Sequence, residues 1–348
     1  MPRLFSSSRR SVSMPVRARM RAVFPWSMWP AVPTTIFRIA PLLILLVVAG
    51  LAQAPSVPSE SSTFRVESTQ VQLDVQVLVR QRPVANLEAV DFQIFDEGAP
   101  CAITYFSHES ASLRLLILLD VSGSMRKQVR QMAETARQAL NALRDGDQVA
   151  VMAFARRAEI LESFTPDRHA MEAAIRRACE IQDLGAGTAM NESLLAAASH
   201  FPQTAATTPE RRAILILTDN QGLNYLCPDT KVIAALLTRG IVLNAIVMAN
   251  TSQPKRRESL AGLNPDFTPP DVFGLASETG GEALRSDRAG KSFPEILERI
   301  RTRYLIYYTP PPAPPGMFRH VRVELSPQAA RRYGRAEIRV RSGYYTTR

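Results

Sequence analysis

Two stretches of the sequence, RLLILLD at residues 114–120 and RRAILILTD at 211–219, run apolar without alternation and stop on an aspartate. A strand with one wet face alternates polar and apolar side chains, whereas a strand apolar at every position is buried on both faces. Strands of that kind belong in a parallel sheet with helices on either side. The neighbouring sequence agrees. Val129, Met132, Ala133, Ala136, Leu140 and Leu143 recur at helical spacing before the stop RDGD (144–147). DRHAMEAAIRRA, NESLLAAASHF, TKVIAALLTRG, VFGLASETGG and FPEILERIRTRY read as further helices. QVAVMAF and IVLNAIVM read as strands, with a short strand at Glu282–Leu284. AEILESF, directly after QVAVMAF, predicts an antiparallel hairpin partner. The expected fold class is α/β over residues 112–303: a doubly wound, mainly parallel, Rossmann-like sheet flanked by helices, with right-handed crossovers.

On both flanks the texture becomes antiparallel β. In residues 63–111, FRVESTQVQLDVQVLV alternates over Val71, Leu73, Val75, Val77 and Val79, and DFQIFDEGAPCAITYF reads as two strands joined through Gly98 and Pro100. In residues 304–348, YLIYYTP leads through the stiff spacer PPAPPG to FRHVRVELS and AEIRVRSGYY, which alternate like a hairpin. Each flank is too short to hold a core alone, so the two are expected to pair into one small sandwich.

The formal charge of +10 points toward a polyanion until its location is considered. Residues 1–54 carry seven arginines and no Asp or Glu; without them the chain's 42 basic residues fall to 35 against 32 acidic ones, a net of about +3. No nucleic-acid partner is implied. The arginines precede the apolar core Leu42–Leu51, the layout of a signal peptide. Ala52-Gln53-Ala54 and Gly50-Leu51-Ala52 are alternative cleavage sites, and an uncleaved membrane anchor is the other reading. Export to the periplasm, the cell envelope or the medium is expected, with residues 55–62 as a Pro/Ser linker. Cys101, Cys179 and Cys227 lack any metal-ligand spacing; free thiols and a single disulfide both fit. His108, His169, His200 and His320 are scattered, and no H-E-x-x-H occurs.

Ligands of open α/β sheets bind outside the carboxyl ends of the strands. DVSGS, at 120–124, stands at such an end, and in an extended turn Asp120, Ser122 and Ser124 project to one side, with Gly123 expected to allow a tight turn. LGAGTAMNES places Thr188 ahead of a helix, and ILILTDN places Thr218 and Asp219 at the end of the second buried strand. Such an all-oxygen set with few charges suits Mg²⁺, with Mn²⁺ or Ca²⁺ as alternatives.

Asp120-Val121-Ser122-Gly123-Ser124, followed by Thr188 and Asp219, resembles the metal-ion-dependent adhesion site of von Willebrand factor type A domains, over about residues 112–303. NLEAVDFQIFDEGAPCAITYF, LASETGG, YLIYYTP and RSGYY resemble the exported, acidobacterial-type bacterial proteins related to that family. The resemblance implies a metal held by Asp120, Ser122, Ser124, Thr188 and Asp219, the last often through water. It also implies a protein ligand that completes the shell with an acidic side chain. Asn220 and Asn191 stand where many relatives have Gly and Asp. No catalytic residue and no organic cofactor are expected. A haloacid-dehalogenase-type phosphatase usually needs a second Asp at position 122, and a serine hydrolase needs a G-x-S-x-G context that is absent. The competing readings are a metal-independent envelope scaffold and a hydrolase.

Overall fold

A computed structural model of the protein describes residues 70–348, apart from 109–110, 126–127, 131–139, 141–142, 203–208, 249–265, 287–288 and 347–348. The leader and Met132, Ala133 and Ala136 of the first expected helix lie outside the described residues; Val129 and Leu140 of that helix are helical and buried. The first strands are β1 (Val71–Val79), β2 (Arg82–Pro83), β3 (Phe92–Asp96), β4 (Ala99–Cys101) and β5 (Ile103–His108). Next come β6 (Ser112–Asp120), β7 (Gln148–Phe154), β8 (Ala158–Thr165), helices α1 (Arg168–Glu180) and α2 (Met190–His200), and β9 (Glu210–Thr218). They are followed by β10 (Asn224–Tyr225), α3 (Asp229–Thr238), β11 (Ile241–Met248), β12 (Phe267–Thr268), α4 (Val272–Glu278), β13 (Ala283–Ser286) and α5 (Ala289–Arg301). The last elements are β14 (Tyr304–Tyr308), β15 (Phe318–Leu325), α6 (Pro327–Tyr333), β16 (Glu337–Arg339) and β17 (Gly343–Tyr345).

The central sheet has the order β13-β11-β9-β6-β7-β8, parallel throughout except for β8, which returns antiparallel beside β7. Its middle strands β6 and β9 carry the unbroken apolar runs Leu115–Leu119 and Ala213–Leu217 because both faces are covered there. Leu113, Leu115, Ile117 and Leu119 of β6 share a core with α1 and with Phe293, Ile296 and Ile300 of α5. Leu116 and Leu118 point the other way, into a core with α2, α3 and α4. Each such leucine or isoleucine removed from water contributes about 1.5–3 kcal/mol before the entropy cost of ordering it.

The flanking segments form two further sheets, β16-β1-β14-β5 with β2 against β1, and β17-β15-β3-β4. Leu73, Val75 and Ile306 of one meet Ile94, Val321 and Val323 of the other in a third core. Glu97 and Gly98, both with positive φ, make the two-residue turn between β3 and β4, and Pro100 sits on the edge strand β4. FRHVRVELS and AEIRVRSGYY do not form a simple hairpin. Helix α6 intervenes, β16 joins β1 in one sheet, and β17 joins β15 in the other. Ser326 caps α6, accepting from Ala329 N at 3.3 Å, and Gly334 closes it at φ 64.

Buried charges join these sheets to the α/β unit. The Arg303 guanidinium pairs with Asp74 of β1, and Arg211 of β9 faces the same carboxylate at 3.6 Å. Glu282 accepts from Arg299 at 2.9 Å and from Arg339 at 2.7 Å. Asp147, expected as a turn residue, accepts from Arg144 N at 2.7 Å within its turn and also from Leu113 N at 2.9 Å. Cys101, Cys179 and Cys227 are all free thiols. Among the described residues no helix is long and apolar enough to cross a membrane.

Candidate metal centre

Chain order places β7 on one side of β6 and β9 on the other, so the carboxyl ends of β6 and β9 flank the topological switch point. Asp120 ends β6 and is 0% exposed. Its Oδ1 accepts from Ser122 N at 3.0 Å, which folds the first loop back over the carboxylate. Ser122 Oγ and Ser124 Oγ then lie 3.3 Å apart. Gly123 lies in this turn without a positive φ, and a Cβ there would meet nothing within 4 Å.

Register supplies the next contact. Leu119 is paired with Leu217, so Thr218 follows beside Asp120 and donates to its Oδ2 at 2.7 Å. Asn220 N donates to Thr218 Oγ1 at 3.0 Å, and Gln221 N to Asp219 Oδ1 at 3.0 Å, which fixes the third loop. Asn220 adopts φ 54, where asparagine is tolerated better than most residues, and its Oδ1 accepts from Val272 N. Asn191 is fully buried and donates at 2.8 Å to both Cys227 O and Asp229 Oδ1. Both departures from the family pattern therefore anchor loops.

Thr188 arrives from the second loop, through Gly185 and Gly187 at φ 83 and 95. That loop is pinned to the end of β7 by Ala189 N to Ala155 O and Arg157 N to Leu184 O, each 2.9 Å. Thr188 O accepts from Leu223 N at 3.3 Å, so the second and third loops touch. A Cβ at Gly222 would stand 2.5 Å from Thr188 O. Gly222→Ala is therefore expected to destabilise the protein by about 1–3 kcal/mol, read from the urea midpoint, because backbone and not a flexible side chain must move.

The sequence reading gave Thr218 no role. A threonine closing a strand buried on both faces needs a hydrogen-bond partner, and that requirement was the available signal.

Burial pushes the Asp120 carboxyl up to about 6; bonds from Ser122 and Thr218 oppose the rise and the nearby Asp219 charge adds to it. Among the described residues no Lys or Arg pairs with Asp120 or Asp219. Among those residues, two carboxylates thus sit beside neutral hydroxyls without a cationic partner. Each bonded carboxylate oxygen retains a lone pair. That donor set fits a hard divalent cation. Between the first and second loops lies a cleft of about 500 Å³, lined by Val121, Ser122, Gly123, Ile181, Leu184 and Gly187.

Residues 115–221, which run from β6 through the three loops, match the von Willebrand factor type A domain. The chain carries a von Willebrand factor type A domain. Several solved structures resemble it. An aerotolerance-related membrane protein from Bacteroides fragilis is 19% identical, over 54% of this chain and 98% of its own, with a TM-score of 0.42. BatB from Bacteroides thetaiotaomicron is 19% identical over 54% of this chain and 98% of its own, with a TM-score of 0.41. Proximal thread matrix protein 1 from the mussel byssus, solved with its MIDAS motif occupied by zinc, is 14% identical over 58% of this chain and 48% of its own, with a TM-score of 0.42. No curated protein matches the sequence.

Proposed function

We propose that the von Willebrand factor type A domain of this chain is an exported, metal-dependent protein-binding module. Asp120, Ser122, Ser124, Thr188 and Asp219 would hold the cation, Asp219 through a water. When bound, the cation supplies a positive centre with a position open to a carboxylate of a partner protein. The observation that carries this reading is the pair Asp120 and Asp219 at the switch point, without a cationic partner among the described residues. Mg²⁺ is the proposed ion, since it keeps several waters and takes only one or two carboxylates; Mn²⁺ and Ca²⁺ share the ligand chemistry. Recognition is favoured over hydrolysis because Thr218 and Ser122 N occupy the Asp120 carboxylate and the hydrogen-bond neighbour of Ser122 Oγ is Ser124, not an imidazole. Export rests on the leader in residues 1–54.

Calorimetric titration with Mg²⁺ and Mn²⁺ tests the site. One ion is expected per chain, and Asp120→Ala is expected to abolish binding. Ser122→Ala, Ser124→Ala and Thr188→Ala should each weaken it several-fold, because water replaces a neutral oxygen; Asp219→Ala should fall between. Unchanged far-UV spectra control for folding. Binding by Asp120→Ala as tight as that of the parent refutes the assignment.

A further inference from the structure

Seven large apolar side chains are exposed among the described residues, and four of them, Leu223, Tyr225, Leu226 and Phe267, lie together beside the third loop of the candidate metal centre. β10 and β12 pair here as a two-residue antiparallel ribbon, with Asn224 opposite Thr268 and Tyr225 opposite Phe267. The Tyr225 and Phe267 rings pack 5.0 Å apart. Leu223 and Leu226 are 52% and 59% exposed. Isolated exposed leucines are ordinary, but a cluster with aromatic residues at its centre is the composition of an interaction surface.

The ribbon is held rigidly and close to the site. Leu223 N reaches Thr188 O at 3.3 Å, Tyr225 N reaches Glu192 Oε1 at 3.0 Å, and Leu226 N reaches Asp266 O at 2.8 Å. Asn224, fully buried, accepts from Asn191 N at 2.9 Å. Leu226 adopts φ 50, a conformation unfavourable for leucine. The fold thus maintains a strained backbone that presents an apolar side chain to solvent. A surface fixed in advance loses little freedom when a partner docks.

Charge decides what kind of partner fits. Glu192 bonds to the ribbon at Tyr225 N, and the ribbon joins the second loop of the candidate metal centre at Thr188 O. The Glu192 carboxylate disfavours an acid seated on the ribbon itself, whereas a cation held at Asp120 and Asp219 offers it a positive centre beside the ribbon.

On the reading that a cation is held at Asp120, we propose that the β10–β12 ribbon and the cation form one binding surface. It takes a polypeptide segment of another protein that carries an acidic residue and, close to it, aliphatic or aromatic residues. The carboxylate goes to the cation and the apolar neighbours cover Leu223, Tyr225, Leu226 and Phe267. The metal supplies dependence on the acid; the ribbon selects which acidic segments bind.

A phage-displayed library of random 12-residue peptides, selected on the full chain in Mn²⁺, tests this. Parent protein should enrich peptides with one Asp or Glu flanked by apolar residues. The triple variant Leu223→Ser, Tyr225→Ser, Leu226→Ser changes only exposed side chains. It should keep its Mn²⁺ affinity and still enrich the acidic residue, while losing the apolar flanks; synthetic peptides carrying the flanks should bind it at least tenfold more weakly than parent. Acidic peptides without apolar flanks, or flanks retained by the variant, overturn the proposal. Apolar peptides without an acid, bound equally in chelator and lost on the variant, overturn the metal reading and its carboxylate half while leaving the ribbon as a docking face. Concentration-dependent dimerisation of parent that the variant abolishes assigns the ribbon to a second copy of this chain and overturns the proposal.

Discussion

Asp120→Asn is expected to stabilise the metal-free protein by about 1–3 kcal/mol and to abolish the divalent-cation binding proposed for the parent. The carboxylate is buried among neutral donors, and its pKa is raised from 3.8 to about 6. Two pKa units correspond to about 3 kcal/mol. Below about pH 4 the group is protonated in both folded and unfolded chains and costs nothing. Between about pH 4 and 6 the unfolded chain gives up its proton first, so stability falls as pH rises; above about 6 the loss is complete. Asparagine keeps the acceptor for Ser122 N and carries no charge, but it takes from Thr218 an acceptor, which trims the gain. Urea denaturation in chelator at pH 4.5 and 7.5 measures it. The parent should lose stability between the two values relative to the variant, and the variant should be the more stable at 7.5. Equal stabilities at pH 7.5 would mean that the Asp120 charge is already compensated. The proposed metal ligand is thus expected to cost the unliganded fold, and a bound cation would return that cost.

Asp74→Ala is expected to cost about 3–5 kcal/mol, although Asp74 lies far along the chain from the α/β unit it serves. The Arg303 and Arg211 side chains are 1% and 2% exposed and both face this carboxylate. Burial pulls the Arg211 pKa down, Arg303, Arg301 and Arg144 add to the effect, and Asp74 opposes it. Removing Asp74 leaves two buried guanidinium groups against each other. Adding Arg303→Met to the variant removes one of them and should restore part of the loss. Midpoints with unchanged m-values in urea would report stability alone. A loss under 1 kcal/mol for Asp74→Ala would show that water reaches the pair.

The parts of the fold that the sequence revealed are those whose environment is the same at every position. β6 and β9 lie in the middle of a covered sheet, so their runs of Leu and Ile needed no partner to be recognised. β8, an edge strand against β7 alone, followed from its short connection to β7. Helix α6 was missed because QAARRY lies between two alternating segments; the Ser326-Pro327 start and Gly334 stop were present, but punctuation was outweighed by periodicity. The split of β16 and β17 between two sheets depends on pairing with β1 and β15, which no local pattern encodes. At the candidate site the oxygen-bearing residues could be read from the strand ends. The Thr218–Asp120 bond requires the β6–β9 register, and the Gly222–Thr188 approach requires two loops folded together. The β10–β12 ribbon joins residues more than forty positions apart, and nothing in NYL or DFT announces it.

The pairing of β1 with β16 has a mechanical consequence. Gln76 stands opposite Arg339, and β14 lies between β1 and β5, with Tyr304 opposite His108. The α/β unit therefore leaves from β5 and returns to β14 through neighbouring strands. Tension applied at Val71 and Tyr345 has a direct path through the ladders of the flanking sheets that bypasses β6 and the loops at its carboxyl end. A load applied at the loops by a bound protein takes a different route. It crosses the β5–β14 pair and the buried contacts Asp74–Arg303 and Glu282–Arg339, so these ion pairs are joints through which a pull on the loops reaches the flanking sheets.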